Sequence, residues 1–153
     1  MARSSNWIPP QQVYTRPANV FVAGFVGEPP INFFDFTSET DGEITIEGNR
    51  ITVPESLRPH LGRIGKRGTA AVRPHFMELG ETSPIRLKGR GFITEELQDH
   101  NEIFVDVGET RVSLVTPPDK HVARGEEVTI SINPDHLLLF PPRQQKEENF
   151  DVV

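Results

Sequence analysis

Glycine and proline divide this chain into short segments, and that division limits the folds open to it. Of 153 residues, 12 are glycine and 14 are proline. Both residue types interrupt helices, because proline lacks a backbone donor and glycine loses much conformational freedom on folding. Their combined share stays below the roughly 25–30% that marks low-complexity chains. The chain is therefore expected to fold, mainly from short β-strands joined by tight turns.

Residues 43–53, EITIEGNRITV, alternate apolar and polar residues on both sides of a turn. Alternation of this kind is typical of half-buried strands. A two-residue loop of Gly48 and Asn49 would pair Ile46 with Ile51 on the buried face. The segment predicts a β-hairpin.

A second hairpin is predicted in residues 101–117, NEIFVDVGETRVSLVTP. Here a loop of Gly108 and Glu109 would pair Val105 with Val112. The turn chemistry, the alternation and the charges all favour this register.

Other segments complete an all-β fold class with one short N-terminal helix. Proline in the first turn favours a helix from Arg16, ending at Gly24 or Gly27. Residues 54–68 are expected to form a loop or a short turn of helix. Further strands are expected at TAAVRP (69–74), IRLKGRGFI (85–93, bent at Gly89 or Gly91), EEVTISI (126–132) and LLLF (137–140). About seven short strands predict a small closed or partly closed barrel, because closure removes exposed sheet edges.

The charge balance makes nucleic acid a poor candidate partner. Lys and Arg number 16 against 22 Asp and Glu, which gives a formal net charge of −6. Nucleic-acid binding needs clustered positive charge. Arg86, Lys88 and Arg90 do line one face of a predicted strand, but Phe92 is the one aromatic residue nearby. An oligonucleotide-binding module therefore remains a minor alternative.

The sequence does not match the motifs of catalysis, cofactor binding or metal binding when each required position is compared. Around Gly65 and Lys66, GRIGKRGT resembles a phosphate loop, yet the required first glycine falls on His60 and the required Ser/Thr on Arg67. The chain has no cysteine, and its five histidines show no HExxH spacing. No apolar run approaches the ~20 residues that span a bilayer, and residues 1–12 do not have the pattern expected of a secretory signal. We expect a soluble protein with no catalytic, cofactor-binding or metal-ligating residues.

One segment resembles a known family closely. Residues 16–34, RPANVFVAGFVGEPPINFF, are similar to the stretch that joins the ATPase domain to the C-terminal regulatory domain in ATP-binding subunits of sugar and glycerol-phosphate ABC importers. That stretch typically reads RPAN-x-FVAGFIGSPPMNF. Val26, Glu28 and Ile31 replace its Ile, Ser and Met.

The resemblance continues downstream over roughly residues 9–142. TAAVRPHFMEL is similar to the family's GIRPEHL strand and turn, with Arg73 and Pro74 matching. HVARGEEVTISINPDHLLLFPP resembles the closing pattern of a transport-associated OB (TOBE) domain. The resemblance implies one OB-like barrel or two intertwined ones over 16–142, after a flexible lead-in (1–15) and before a polar tail (143–153).

The resemblance also implies a function without catalysis in this chain. ATP and magnesium would bind the family's ATPase domain, whose motifs have no counterpart here, so no cofactor is expected. The implied partners are a second copy of the chain, the ATPase domain, the membrane permease subunits and a cytoplasmic regulator, at the inner face of the membrane. Phe25 and Phe140 are expected at the homodimer interface. The transported solute would be a carbohydrate or polyol such as glycerol phosphate.

A different class of function stays open, because TOBE-like barrels of molybdate-type relatives bind oxyanions. Arg73 or Lys88 would then hold the anion. This alternative makes the chain a small-ligand sensor.

Overall fold

The computed structural model describes residues 29–143, which form two five-stranded antiparallel sheets. The predicted N-terminal helix, the lead-in and the tail after Arg143 lie outside the described residues. The helix and strands are β1 (Asn32–Thr37), β2 (Glu43–Ile46), β3 (Asn49–Thr52), α1 (Arg58–Ile64), β4 (Arg67–Val72), β5 (Met77–Leu79), β6 (Ile85–Glu96), β7 (Asn101–Val107), β8 (Thr110–Thr116), β9 (Glu127–Ile132) and β10 (Leu138–Phe140). The expectation of a mainly β, OB-like fold is confirmed.

The first sheet has the strand order β10-β4-β1-β2-β3. Helix α1 lies beside the free edge of β10, where Nε2 of His60 donates to the carbonyl of Leu139 at 2.8 Å. An exposed edge strand invites pairing with another chain. The helix therefore protects this edge.

The second sheet has the strand order β5-β9-β6-β7-β8. Its edge strands β5 and β8 lie next to each other without pairing, so the sheet curls into a half-barrel. Strand β6 bends where its register with β7 shifts between Gly91 and Ile93, which leaves Phe92 as the extra residue of a β-bulge. The predicted bend in this strand is confirmed at Gly91.

Both sheets contribute to one hydrophobic core. Phe34 and Ile46 come from the first sheet and Leu87 and Ile103 from the second, and the exposed fraction of each is 0%. Since neither sheet buries its inner face alone, the two halves fold as one unit.

The second hairpin has the predicted register, with Val105 opposite Val112. The first hairpin does not: Glu47 and Gly48 form its loop, and Ile46 pairs with Asn49, so the predicted pairing with Ile51 is wrong. A two-residue turn of this type needs positive φ at both loop residues, and Glu47 (47°) and Gly48 (82°) supply it. The buried face is unchanged, because the pairing moves by an even number of residues.

Candidate functional site

An open cleft of about 690 Å³ lies on the second sheet. It lies where the middle of β6 meets β9 and the β7–β8 turn. Lys88, one of the two predicted oxyanion ligands, lines this cleft, and its backbone N–H donates to Oδ1 of Asn49 at 3.1 Å. The lining residues are Lys88, Gly89, Arg90, Asp106, Gly108, Glu127, Val128 and Thr129.

Ion pairs offset much of the positive charge around the cleft. Arg90 lies 3.4 Å from Glu127. Arg111 donates to both carboxylate oxygens of Asp106, at 2.7 and 3.1 Å. These hydrogen bonds from Arg111 lower the pKa of Asp106 below its usual value. The cleft therefore presents paired charges of both signs.

Arg73, the other predicted oxyanion ligand, lies elsewhere. It follows β4, caps the short turn before β5, and is only 5% exposed. The backbone N–H of Phe76 donates to its carbonyl at 2.9 Å. Arg73 is not among the residues that line the cleft beside Lys88.

Phe92 lies close to two guanidinium groups, a cluster that the sequence did not predict. The guanidinium carbon of Arg111 lies 3.5 Å from the ring centroid, and that of Arg124 lies 4.7 Å away. Cation–π contacts of this kind occupy the faces of an aromatic ring. The ring is therefore poorly placed to stack on a nucleic-acid base.

The first sheet carries apolar side chains on its outer face as well as on its inner face. We call this set the outer cluster. Its buried members have exposed fractions of 0–8%, and Phe33 is half-buried against them. Phe140, a predicted interface residue, belongs to it and is 5% exposed; Phe25, the other, lies outside the described residues. The outer cluster consists of Ile31, Phe33, Ala71, Leu138 and Phe140.

Two large apolar side chains of the described region are exposed, Ile93 (47%) and Leu97 (41%). Ile93 lies near the end of β6, and Leu97 directly follows the strand, where its backbone N–H donates to the carbonyl of His100 at 2.9 Å. Ile93 pairs across the sheet with the half-buried Phe104 of β7. Glu95 and its cross-strand partner Glu102 lie between the apolar side chains on this side, so the surface alternates apolar and acidic groups, and we call it the β6 patch.

Metal-binding and membrane-spanning features were sought in the same residues. Between residues 29 and 143, no three His, Asp or Glu side chains come close enough together to hold a metal ion. No helix in that range has the length and apolarity needed to cross a bilayer.

Curated relatives of this chain are ATP-binding proteins of ABC transporters. The chain is 31% identical over 135 residues to an uncharacterised ABC transporter ATP-binding protein of Sinorhizobium fredii. The aligned region covers 87% of the chain and 35% of the relative. The chain is 28% identical to the sn-glycerol-3-phosphate import ATP-binding protein of Paraburkholderia xenovorans, covering 92% of the chain and 40% of the relative. It is 27% identical to the trehalose/maltose import ATP-binding protein of Thermococcus litoralis, covering 86% and 38%. The chain thus spans 35–40% of the length of these relatives.

A solved structure gives an independent comparison of the fold. The cytoplasmic molybdate-binding protein ModG, with molybdate bound, superposes with a TM-score of 0.52 at 17% identity. The superposition covers 72% of this chain and 96% of that chain. No protein-family model matches the chain. The likeness to ModG is one of fold.

Proposed function

Because this chain belongs to the C-terminal, TOBE-type region of the ATP-binding proteins of ABC importers, we propose that it pairs with a second copy of itself and regulates an importer of a carbohydrate or polyol. The observation that carries the proposal is the pattern of coverage. The relatives align with 86–92% of this chain but with only 35–40% of their own length. The matched part folds as an OB-like body.

The chain itself is not an enzyme. It corresponds to part of an ATP-binding protein, and the fold of that part is the fold of a ligand-binding protein. Its contribution to transport would therefore be mechanical and regulatory. ATP hydrolysis would take place in the rest of the importer's ATP-binding subunit.

Pairing would assist the motor through effective concentration. Two ATPase domains that separate and close again in each cycle do so faster when a linked domain stays paired. Such a link makes re-closure intramolecular, at an effective concentration of order millimolar. A cytoplasmic regulator bound to the same domain would shift the open and closed populations by its difference in affinity for the two states.

The β6 patch supports the pairing, since a second copy would cover its exposed apolar surface. Ile93 and Leu97 are the large apolar side chains that the described chain leaves open to solvent. Phe25 and Phe140 remain predicted interface residues, but Phe140 is buried within a single chain and offers little area to another. We therefore assign the first contact to Ile93 and Leu97.

Sedimentation velocity of the full chain tests the pairing. We expect the weight-average mass to rise from monomer to dimer between low and high micromolar concentration. A monomer at every concentration would contradict the pairing. Hydrolysis of ATP by the same preparation should stay at the level of buffer.

The solute class needs a cellular measurement. In the host organism, deletion of the gene should abolish uptake of a labelled disaccharide or of glycerol 3-phosphate. Uptake of an amino acid serves as the control and should not change. Loss of amino-acid uptake alone would contradict the carbohydrate or polyol assignment.

A further inference from the structure

Three neighbouring strands of the second sheet carry an alternating row of charges in the cleft beside Lys88. Arg90 of β6 lies opposite Glu127 of β9 on one side and opposite Asp106 of β7 on the other. Two residues before Arg90, and therefore on the same face, Lys88 lies opposite Thr129 of β9. Side chains that lie directly opposite each other have their Cβ atoms about 4.5–5.5 Å apart. Hydrogen-bond donors and acceptors therefore alternate at short spacing across the floor of the cleft.

Contacts within the chain hold the walls of the cleft in place. A Cβ added at Gly89 would lie 2.7 Å from the carbonyl oxygen of Asp106, so the glycine lets β7 lie close against β6. The carboxylate of Glu47 accepts hydrogen bonds from the backbone N–H of Glu109 and the hydroxyl of Thr110, which fixes the β7–β8 turn. A site that is already formed binds its ligand more tightly, because less ordering is needed on binding.

The side chains that line the cleft include two cations and two carboxylates. Lys88 and Arg90 supply only donors, whereas Asp106 and Glu127 supply acceptors. Each carboxylate already has one partner, since Arg111 donates to both oxygens of Asp106 and Arg90 lies 3.4 Å from one oxygen of Glu127. A carboxylate offers about four acceptor positions. Both carboxylates therefore keep room for a hydroxyl group of a ligand.

This balance of charge disfavours a compact oxyanion. Molybdate or sulfate would be attracted by Lys88 and repelled by Asp106 and Glu127, which line the same cleft. A hydroxyl group both donates and accepts, so a neutral polyhydroxylated molecule can use the cations and the carboxylates together. The cleft volume of about 690 Å³ also suits such a molecule, because small-molecule sites measure roughly 300–1,000 Å³.

We propose that this cleft binds a neutral polyol or saccharide through the side chains of Lys88, Arg90, Asp106 and Glu127. Hydroxyl groups of the ligand accept hydrogen bonds from the two cations and donate to the two carboxylates. The class of ligand follows from the chemistry of the cleft. Its meaning for the cell rests on the importer function proposed above, in which the bound molecule acts as a small-molecule regulator.

Nuclear magnetic resonance titration of the full chain tests the site directly. The neutral probes are glycerol, sorbitol, maltose and trehalose, and the anionic probes are sulfate and molybdate. We expect at least one neutral probe to shift the backbone amide signals of residues 88–90 and 127–129, with saturation in the millimolar range. At matched ionic strength, the two anions should leave these signals in place.

Glu127→Gln separates the two classes of ligand by the direction of its effect. It replaces a charged acceptor by an amide of the same shape, so the dissociation constant of the neutral probe should rise by about threefold or more. An oxyanion would instead bind more tightly, because a repelling carboxylate is removed. Glu55→Gln makes the same change in the turn before α1, outside the cleft, and should leave the constant unchanged. Circular dichroism spectra check that both variants are folded.

Each of three results would contradict the assignment. If none of the neutral probes gives saturable shifts at these amides, the cleft is not a polyol site. Saturation by sulfate or molybdate would make it an oxyanion site. A neutral probe whose affinity is the same in Glu127→Gln would not be held by the row of charges. These titrations do not depend on pairing, so their failure leaves the sedimentation test of the proposed function untouched.

Discussion

The side-chain amide of Asn32 in β1 makes a two-point hydrogen bond to the backbone of Ser113 in β8. Its Nδ2 donates to the Ser113 carbonyl at 2.9 Å, and the Ser113 N–H donates to its Oδ1 at 3.0 Å. Both residues are 8% exposed. The amide thus completes the edge of the second sheet with a group from the first, and it ties together strands that are 81 residues apart.

Replacing Asn32 by alanine should destabilise the fold strongly. The change leaves the buried N–H and C=O of Ser113 without their partner, at a cost of about 2–4 kcal/mol for the two groups. Urea denaturation followed by circular dichroism measures the loss. Gln98→Ala, at an exposed tip, is the matched amide control and should shift the midpoint little. Equal midpoints for the two variants would show that the tie between the sheets contributes nothing.

A side chain at position 108 should lower the stability of the fold. The φ of Gly108 is +59°, and a Cβ added there would collide with the carboxylate of Glu47. That carboxylate accepts hydrogen bonds from the backbone N–H of Glu109 at 3.3 Å and the hydroxyl of Thr110 at 2.8 Å, so it cannot move away without losing them. Gly108→Ala should lower the free energy of unfolding by about 1–3 kcal/mol.

Gly62 provides the control for Gly108. It lies in α1 with no atom within 4 Å of an added Cβ, so Gly62→Ala should be neutral or stabilise by about 0.5–1 kcal/mol. Thermal unfolding of both variants separates the two effects. A similar change of melting temperature in both variants would mean that the Glu47 side chain moves aside for the added Cβ at little cost.

The two hairpins show what alternation and turn chemistry can predict. In the second, Asp106 and Arg111 flank a turn in which only one register satisfies both faces, and that register is observed. In the first, Gly48 can occupy either position of a two-residue loop, and both choices bury the same residues. In the observed register Asn49 begins β3, and its side-chain amide donates to the Ile46 carbonyl at 3.0 Å.

Alternation and turn chemistry could not predict contacts between distant parts of the chain. Nothing around Asn32 indicates that its amide will meet the edge of β8. The bulge at Phe92, whose ring Arg111 and Arg124 approach, depends on pairing with β7, not on the local sequence. The continuous apolar run at residues 137–140 did carry a signal, since such runs are typical of strands buried on both faces.

Ile93→Asp should weaken self-association without unfolding the chain. Ile93 is 47% exposed in a single copy, so the folded monomer loses little, whereas pairing would have to bury the new carboxylate. We expect the dissociation constant to rise by about tenfold or more in sedimentation experiments. Ser56→Asp adds the same charge in the turn before α1 and should leave the constant unchanged. An unaltered dimer in Ile93→Asp would move the interface away from the β6 patch.

Asp106→Asn should reduce stability at neutral pH and have no effect in acid. Hydrogen bonds from Arg111 lower the pKa of Asp106 in the folded state. A lowered folded pKa gives stability that is present above the unfolded value of about 3.9 and is lost as the pH falls through the folded value. The urea midpoints of the variant and the natural chain should therefore differ at pH 7 and converge toward pH 3.

Added salt should also reduce the difference in urea midpoint between Asp106→Asn and the natural chain at pH 7, since Arg111 and Asp106 are both substantially exposed. Asp119→Asn, in an exposed turn, controls for the change of net charge. Because Arg111 also lies over Phe92 at 3.5 Å, the variant frees one guanidinium to settle on the ring alone. A difference that persists at pH 3 would assign the effect of Asp106 to packing rather than to its charge.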